Sequence, residues 1–118
     1  MEDRNAPLKK YEYMENGVLH REDGPAIEYM DGTKLWYLHG KPHRVGGPAG
    51  EHSGGSKEWC INGQYHREDG PAFEHKSGHL EWWNNGKRHR IDGPAVEHKN
   101  GTKEWYLNNE WHRDKDNC

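Results

Sequence analysis

Residues 89–111 read HRIDGPAVEHKNGTKEWYLNNEW, and the chain repeats this pattern with a period of 23 residues. A His-Arg pair opens each unit, at positions 20, 43, 66, 89 and 112. Gly-Pro-Ala follows in four units, at 24–26, 47–49, 70–72 and 93–95, and a tryptophan stands at 36, 59, 82 and 105. A fixed period of this length is the sequence signature of a repeat architecture, in which neighbouring units stack on one another.

Each unit predicts a β-hairpin. In the first full unit, residues 25–29 and 33–38 are short stretches of strand-forming side chains, and Asp31-Gly32 between them is a strong turn signal. A second turn, around Asn62-Gly63 in the next unit, leads into the following His-Arg segment. The sequence therefore predicts an all-β fold, an elongated, twisted antiparallel single-sheet meander of 23-residue β-hairpin repeats.

Charge pairing predicts the register of the hairpin. A two-residue turn would place Glu51 opposite Glu58, and like charges directly across from each other are unfavourable. A three-residue turn with a left-handed glycine in a bulge places Glu51 opposite Lys57 instead, and Glu28 opposite Lys34. We therefore expect the bulged register. It sets the alanine of each unit across from its tryptophan, and we expect tryptophan burial to be the main hydrophobic contribution.

Composition and ends limit the class of protein. Only 30% of the 118 residues are hydrophobic, and the net charge of −3 gives no general attraction to nucleic acid or to an anionic membrane. No apolar run suggests a signal peptide, and Cys60 and Cys118 make no disulfide framework, so we expect a cytoplasmic protein, in the bacterial host cytoplasm if it is phage-encoded. The predicted repeat domain covers 9–113, as a half repeat, four full units and a C-terminal cap, between a flexible tail at 1–8 and a tail at 114–118.

The sequence shows no catalytic or cofactor motif, and we expect a non-enzymatic protein without a cofactor. Ten histidines raise the question of a metal. Equivalent histidines of successive units stand roughly 10 Å apart across two strands, whereas a shared zinc needs each ligand nitrogen at about 2 Å. We therefore predict no metal site.

The stretch Trp82-Trp83-Asn84-Asn85-Gly86-Lys87-Arg88-His89 resembles the MORN repeat family, whose 23-residue hairpin units carry an aromatic residue, then Asn-Gly-Lys, then His-Gly. The resemblance covers roughly 9–113. It departs from the family where arginine, followed by Gly-Pro-Ala, stands in place of the glycine after histidine. That pattern is similar to a bacterial and viral variant branch, some members of which are described as antitoxins. The resemblance implies an elongated sheet that serves as a scaffold for protein or phosphoinositide contacts, although function transfers poorly with fold.

The sheet face alternate to the tryptophans is the candidate partner-binding surface. It carries aromatic and acidic side chains beside an apolar row of Ile27, Phe73 and Val96. The candidate residues are Tyr37, Glu58, Glu81, Trp83, Glu104 and Tyr106. Exposed aromatics are good hot spots and glutamates favour a basic partner. We expect an inhibitor or adaptor of the antitoxin or phage counter-defence type, with a nucleic-acid-handling enzyme as a candidate target. The alternative for these residues is the half-buried second side of a single sheet.

A second hypothesis is a small-molecule binder that sequesters a nucleotide or another anion with arginine, histidine and aromatic side chains. The recurring Arg-x-Asp of the His-Arg loops is typical of a structural turn. The second unit breaks it, because Gly46 replaces the aspartate. Arg44 and His43 are therefore the candidate ligand-binding residues. Direct binding to nucleic acid or a membrane is not expected, and the open sheet edges favour self-association.

Overall fold

A computed structural model describes residues 10–112 of the chain. The fold prediction for that range is confirmed, since its regular elements are all β-strands in antiparallel hairpins. The predicted tails at 1–8 and 114–118 lie outside the described residues. None of residues 10–112 belongs to a helix with the length and hydropathy that a membrane span requires.

Residues 10–112 contain eighteen short strands. In chain order they are β1 (Lys10–Glu12), β2 (Met14–Glu15), β3 (Val18–Leu19), β4 (Ile27–Tyr29), β5 (Lys34–Leu35), β6 (Tyr37–Leu38), β7 (Lys41–Pro42), β8 (Gly50–Glu51), β9 (Lys57–Glu58), β10 (Cys60–Ile61), β11 (Gln64–Tyr65), β12 (Phe73–Glu74), β13 (Leu80–Glu81), β14 (Trp83–Asn84), β15 (Lys87–Arg88), β16 (Val96–Glu97), β17 (Lys103–Leu107) and β18 (Glu110–His112).

Ten of these strands form one antiparallel sheet in the order β1-β4-β5-β8-β9-β12-β13-β16-β17-β18. The other eight form four two-stranded ribbons, β2-β3, β6-β7, β10-β11 and β14-β15. Each unit therefore adds one hairpin to the sheet and one ribbon beside it. The molecule measures 58 × 35 × 20 Å with a radius of gyration of 16.8 Å. A compact domain of about 100 residues has a radius near 13 Å, so the array is elongated.

The main-sheet hairpins β4-β5, β8-β9, β12-β13 and β16-β17 close with the expected three-residue turn and glycine bulge. Gly32 N donates to Tyr29 O at 3.0 Å, and Tyr29 N donates back to Thr33 O at 2.9 Å. Gly32 has a φ of 97°, in the left-handed region that glycine adopts without a steric penalty. The same turn recurs around Gly55, Gly78 and Gly101.

The predicted register is confirmed. Glu28 pairs with Lys34, and Glu51 pairs with Lys57. Each lysine also pairs with a glutamate of the next hairpin, Lys34 with Glu51 and Lys57 with Glu74. Charges therefore alternate from Glu28 to Glu74, until Leu80 interrupts the ladder between Glu74 and Glu97. Opposite charges directly across from each other stabilise a strand pair.

The ribbons, and the last hairpin β17-β18 of the main sheet, close with two-residue turns in which both central residues have positive φ. Asn62 and Gly63 have φ values of 49° and 81°, and Asn108 and Asn109 have 50° and 73°. These values are those of a type I′ turn, which matches the twist of the strands and favours Asn-Gly.

Tryptophan burial is less complete than expected. The enclosed side chains are small ones, since Ala26, Ala72 and Ala95 are 0% exposed. The repeat tryptophans at 36, 59, 82 and 105 are only half-buried. The sheet is a single layer in the described residues, and no second layer covers the outer side of these rings.

Candidate functional site

In four His-Arg pairs the arginine covers an aromatic ring eight residues before it, at the end of the preceding unit. The guanidinium carbon lies 3.8 to 3.9 Å from the ring centroid in four units. The pairs are Arg21 on Tyr13, Arg44 on Trp36, Arg67 on Trp59 and Arg90 on Trp82. This cation–π contact supplies the cover that a second layer would give.

Arg90 shows the hydrogen bonds that fix such an arginine. Its Nε donates to Asp92 at 3.1 Å, and its Nη1 donates to Pro94 O at 3.1 Å and to Glu97 at 3.0 Å. A β-carbon at Gly93 would lie 2.7 Å from the Arg90 guanidinium carbon, so a larger residue there would displace the arginine. The Gly-Pro motif is thus shaped to hold the arginine, as the structural interpretation of Arg-x-Asp predicts.

The second unit keeps this arrangement without the aspartate. Arg44 stacks on Trp36 and donates to Pro48 O at 3.1 Å and to Glu51 at 3.4 Å. Gly46 has a φ of 86°, a conformation that the aspartates of the other units do not adopt. Gly46 therefore frees the Nε atom of Arg44 from a carboxylate but does not release the side chain.

The first histidine ladder joins each unit to the next. His43 Nδ1 accepts a hydrogen bond from Asn62 N at 2.9 Å, and Asn62 is the first residue of the next type I′ turn. The same bond recurs for His20, His66 and His89. In the described residues, no three His, Cys, Asp or Glu side chains converge to hold a metal ion.

The predicted partner-binding residues lie on one face of the sheet, on the side opposite the repeat tryptophans. Phe73 pairs with both Glu58 and Glu81, and Val96 pairs with Glu81 and with Glu104. Acidic and apolar side chains therefore alternate across neighbouring strands. We call the surface formed by Tyr37, Glu58, Glu81, Trp83, Glu104 and Tyr106 the acidic face.

Each glutamate of the acidic face accepts from a histidine and an aromatic side chain. Glu81 accepts from His79 Nε2 at 2.6 Å and from Trp83 Nε1 at 2.8 Å. Glu58 accepts from His52 Nε2 at 3.0 Å and from the Tyr65 hydroxyl at 3.4 Å.

Glu104 completes the series. It accepts from His98 Nε2, and from the Tyr106 hydroxyl at 2.8 Å. The bonds from His98 and then Tyr106 lower the pKa of Glu104, and the bond to Glu104 raises the pKa of Tyr106. The carboxylate is therefore held in its charged form and in a fixed position.

Aromatic rings of two units are in contact on this face. The centroids of Tyr65 and Trp83 are 5.3 Å apart, and those of Tyr65 and Phe73 are 6.3 Å apart. The guanidinium of Arg88 lies 5.3 Å from the Trp83 ring and 5.3 Å from the Tyr106 ring. These contacts orient the rings before any partner arrives.

The sequence analysis missed several residues that contact the acidic face. They are His52, Tyr65, His79, Arg88 and His98. His52 and His98 occupy equivalent positions of their units, together with His75, but the sequence analysis considered histidines only as metal ligands. Tyr65 lies across the ribbon from Cys60, which occupies the position of Tyr37, Trp83 and Tyr106 in the other units. Tyr37 itself lies apart from the ring contacts, beside Leu35, Gly50 and Cys60.

Three grooves lie on the tryptophan side, between successive His-Arg loops. Their volumes are about 620, 490 and 730 Å³, and their linings include Trp36, Trp59 and Trp82 respectively. Arg44 borders the first two grooves and His43 borders the first. These volumes are in the range of small-molecule pockets.

Known proteins supply no assignment for this site. No family model matches the sequence, and neither the curated proteins nor the solved structures contain a match. The function must therefore be argued from the geometry.

Proposed function

We propose that this chain is a non-enzymatic protein-binding repeat protein, an inhibitor or adaptor, whose acidic face binds a basic surface of another protein. One observation carries the proposal. Three consecutive units present a glutamate held by a histidine and an aromatic donor on the same side of a single-layer sheet. Glu58 and Glu104 keep 31% of their side-chain surface exposed.

Preorganised side chains and negative charge both favour binding at the acidic face. Side chains already fixed by hydrogen bonds lose little freedom when a partner binds, so less of the contact energy is offset. Half-exposed tryptophan and tyrosine side chains are the residue types that dominate protein interfaces. Three carboxylates on one face attract a basic surface and accelerate its encounter at low ionic strength.

The biological class is a narrower proposal. The 23-residue hairpin unit supports membership of the MORN-like repeats, in the variant branch some of whose members are described as antitoxins. An inhibitor of a toxin or of a host defence enzyme would fit a small array with an acidic face, and a nucleic-acid-handling enzyme has the basic surface required. Cys60 is a free, buried thiol, which supports a reducing cytoplasmic location.

Charge reversal on the acidic face tests the proposal. Glu58→Lys together with Glu104→Lys should weaken partner binding by at least about 100-fold, since hot-spot side chains contribute about 2 kcal/mol or more. Glu22→Lys with Glu68→Lys is the matched control, because it makes the same charge change on side chains that are 82% and 84% exposed in the His-Arg loops. The full chain is immobilised on a support and exposed to host lysate, and the captured protein is identified by mass spectrometry. The affinity of that protein for each variant is then measured by interferometry. Equal loss of affinity in both double variants would contradict the proposal.

A second candidate function is sequestration of a nucleotide or similar anion in the groove of about 490 Å³. Arg44 lines this groove with Trp59 and Arg67. Because Gly46 replaces the aspartate of the other units, no carboxylate of the described residues accepts from the Nε of Arg44, and this observation favours the candidate. Thermal shift with a panel of nucleoside phosphates tests it. A ligand whose stabilisation is lost in Arg44→Ala and kept in Glu58→Lys would favour this candidate over the first.

A further inference from the structure

Position 50 breaks the pattern of the acidic face. The equivalent residues of the other units are Ile27, Phe73 and Val96, of which Ile27 and Val96 are buried. In the second unit the residue is Gly50, and a cavity of about 240 Å³ lies over it. The walls of this cavity include Leu35, Tyr37, Pro42, Glu58 and Cys60.

The backbone does not require a glycine at position 50. Gly50 is not among the glycines with positive φ. A β-carbon there would lie 3.4 Å from His52 Nε2 and 3.5 Å from Leu35 Cδ2, which are ordinary contact distances. A glycine inside a strand loses more conformational freedom on folding and packs no side chain, and it often marks the close approach of another group. The backbone and its neighbours would accept a β-carbon at this buried position, so the absence of a side chain beside the cavity is the feature to explain.

The walls combine hydrocarbon with one carboxylate and the imidazole of His52, which donates to that carboxylate. Leu35, Pro42 and the ring of Tyr37 are apolar, and Glu58 supplies the negative charge. The carboxylate of Glu58 accepts from two donors, and a carboxylate has about four lone-pair sites, so it can accept further donors. Burial, with a smaller effect of Glu58, raises the pKa of the Cys60 thiol to about 11. The thiol therefore stays neutral and adds no second negative charge.

The volume limits the size of the occupant. Pockets for drug-sized ligands measure about 300 to 1,000 Å³, and an apolar cavity of about 150 Å³ holds a benzene molecule. A cavity of about 240 Å³ thus suits a single large side chain rather than a nucleotide.

We propose that the cavity over Gly50 receives one arginine side chain of the partner protein, with its methylene groups against Leu35 and Pro42 and its guanidinium on Glu58. Arginine fits better than lysine because a planar guanidinium can stack on a ring such as that of Tyr37 while it donates to a carboxylate. This inference rests on the proposed function, and it names the residue type by which the acidic face recognises its partner.

A model compound tests the pocket without the partner. N-acetyl-arginine N-methylamide, titrated into the ¹⁵N-labelled full chain, should shift the amide signals of Leu35, Gly50 and Cys60, with a millimolar dissociation constant. The lysine analogue should bind at least several-fold more weakly. Gly50→Val, which introduces the residue of the fourth unit, should abolish the shifts, whereas Gly50→Ala should retain them. Amide shifts at glutamates throughout the chain, or amide shifts that persist in Gly50→Val, would overturn the proposal.

Partner binding separates failure of the pocket from failure of the proposed function. Gly50→Val should lower the affinity for the captured partner at least 10-fold. The amide signals of the variant should stay as well dispersed as those of the wild-type chain, which shows that it still folds. If Gly50→Val does not fold, Glu58→Gln should give the same loss with the cavity open. Unchanged partner affinity in Gly50→Val, with loss in the Glu58→Lys and Glu104→Lys double variant, would overturn the pocket and leave the acidic face standing. Unchanged affinity in both would overturn the two together.

Discussion

The guanidinium of Arg67 lies 3.8 Å from the ring of Trp59, eight residues before it, and donates to Pro71 O at 3.0 Å and to Asp69 at 3.2 Å. A β-carbon at Gly70 would stand 2.9 Å from the same guanidinium carbon. At the scale of single residues, the repeat motif is thus a ring, a guanidinium laid on it, and a glycine that leaves it room. Each part is needed for the others to fit.

A double-mutant cycle tests this dependence. Arg67→Ala should lower the free energy of unfolding by about 2 kcal/mol, from a cation–π contact of about 0.5–1 kcal/mol and the loss of charge-assisted hydrogen bonds. Gly70→Ala should cost about 1 kcal/mol in the wild-type chain, because its methyl group displaces the guanidinium, and almost nothing when Arg67 is already alanine. Urea denaturation of the four proteins gives the coupling. Costs that simply add would contradict a shared site.

Sequence reasoning reached the hairpins, the bulged turn and the register, because all three follow from neighbouring residues and alternating charges. It assigned Arg-x-Asp to a turn but missed the stack of arginine on tryptophan, whose partners are eight residues apart in the sequence. It also missed the bond from Asn62 N to His43 and the pairing of Glu81 with His79. The stack and the bond to His43 depend on where side chains point after turns have formed, and the bond between His79 and Glu81, two residues apart, depends on their side-chain rotamers. Periodicity alone defines neither.

At the scale of the elements, the ribbon β10-β11 differs most from its equivalents. It places Cys60 across from Tyr65, and both side chains lie against the sheet near Glu58. Burial, ahead of the charge of Glu58, raises the pKa of Cys60 to about 11 and that of Tyr65 to about 12. Ionisation of either group therefore destabilises the folded ribbon.

Alkaline pH should destabilise this ribbon and, through it, the array. The unfolded chain releases these protons near the usual pKa values of 9.0 and 10.0, before the folded chain does. Stability from the raised pKa values is thus fully present below pH 9.0 and is lost as pH rises toward about 12. Denaturant midpoints measured from pH 8 to 11 should fall for the wild-type chain. Cys60→Ala with Tyr65→Phe should flatten the decline, and an equal decline in that variant would contradict the assignment.

At the scale of the whole molecule, the described residues form a single open sheet with two unlike sides. One side carries the repeat tryptophans, and on Trp36, Trp59 and Trp82 lies an arginine whose hydrogen bonds are made within its own unit. The other side carries the acidic face and the cavity over Gly50. All of these rings are half-buried, but a guanidinium occupies one face of Trp36, Trp59 and Trp82, whereas Trp83 and Tyr106 donate hydrogen bonds to fixed carboxylates. The difference between the sides is the reason to expect a partner on one of them.

Oxidative footprinting of the complex with the captured partner compares the two sides in one experiment. Hydroxyl radicals label exposed tryptophan and tyrosine side chains, and mass spectrometry reads each ring separately. Partner binding should protect Trp83 and Tyr106 several-fold and leave Trp36 and Trp59 labelled as in the free chain. Protection of Trp36 and Trp59, with Trp83 and Tyr106 unchanged, would contradict the account and move the binding site to the grooves between the His-Arg loops.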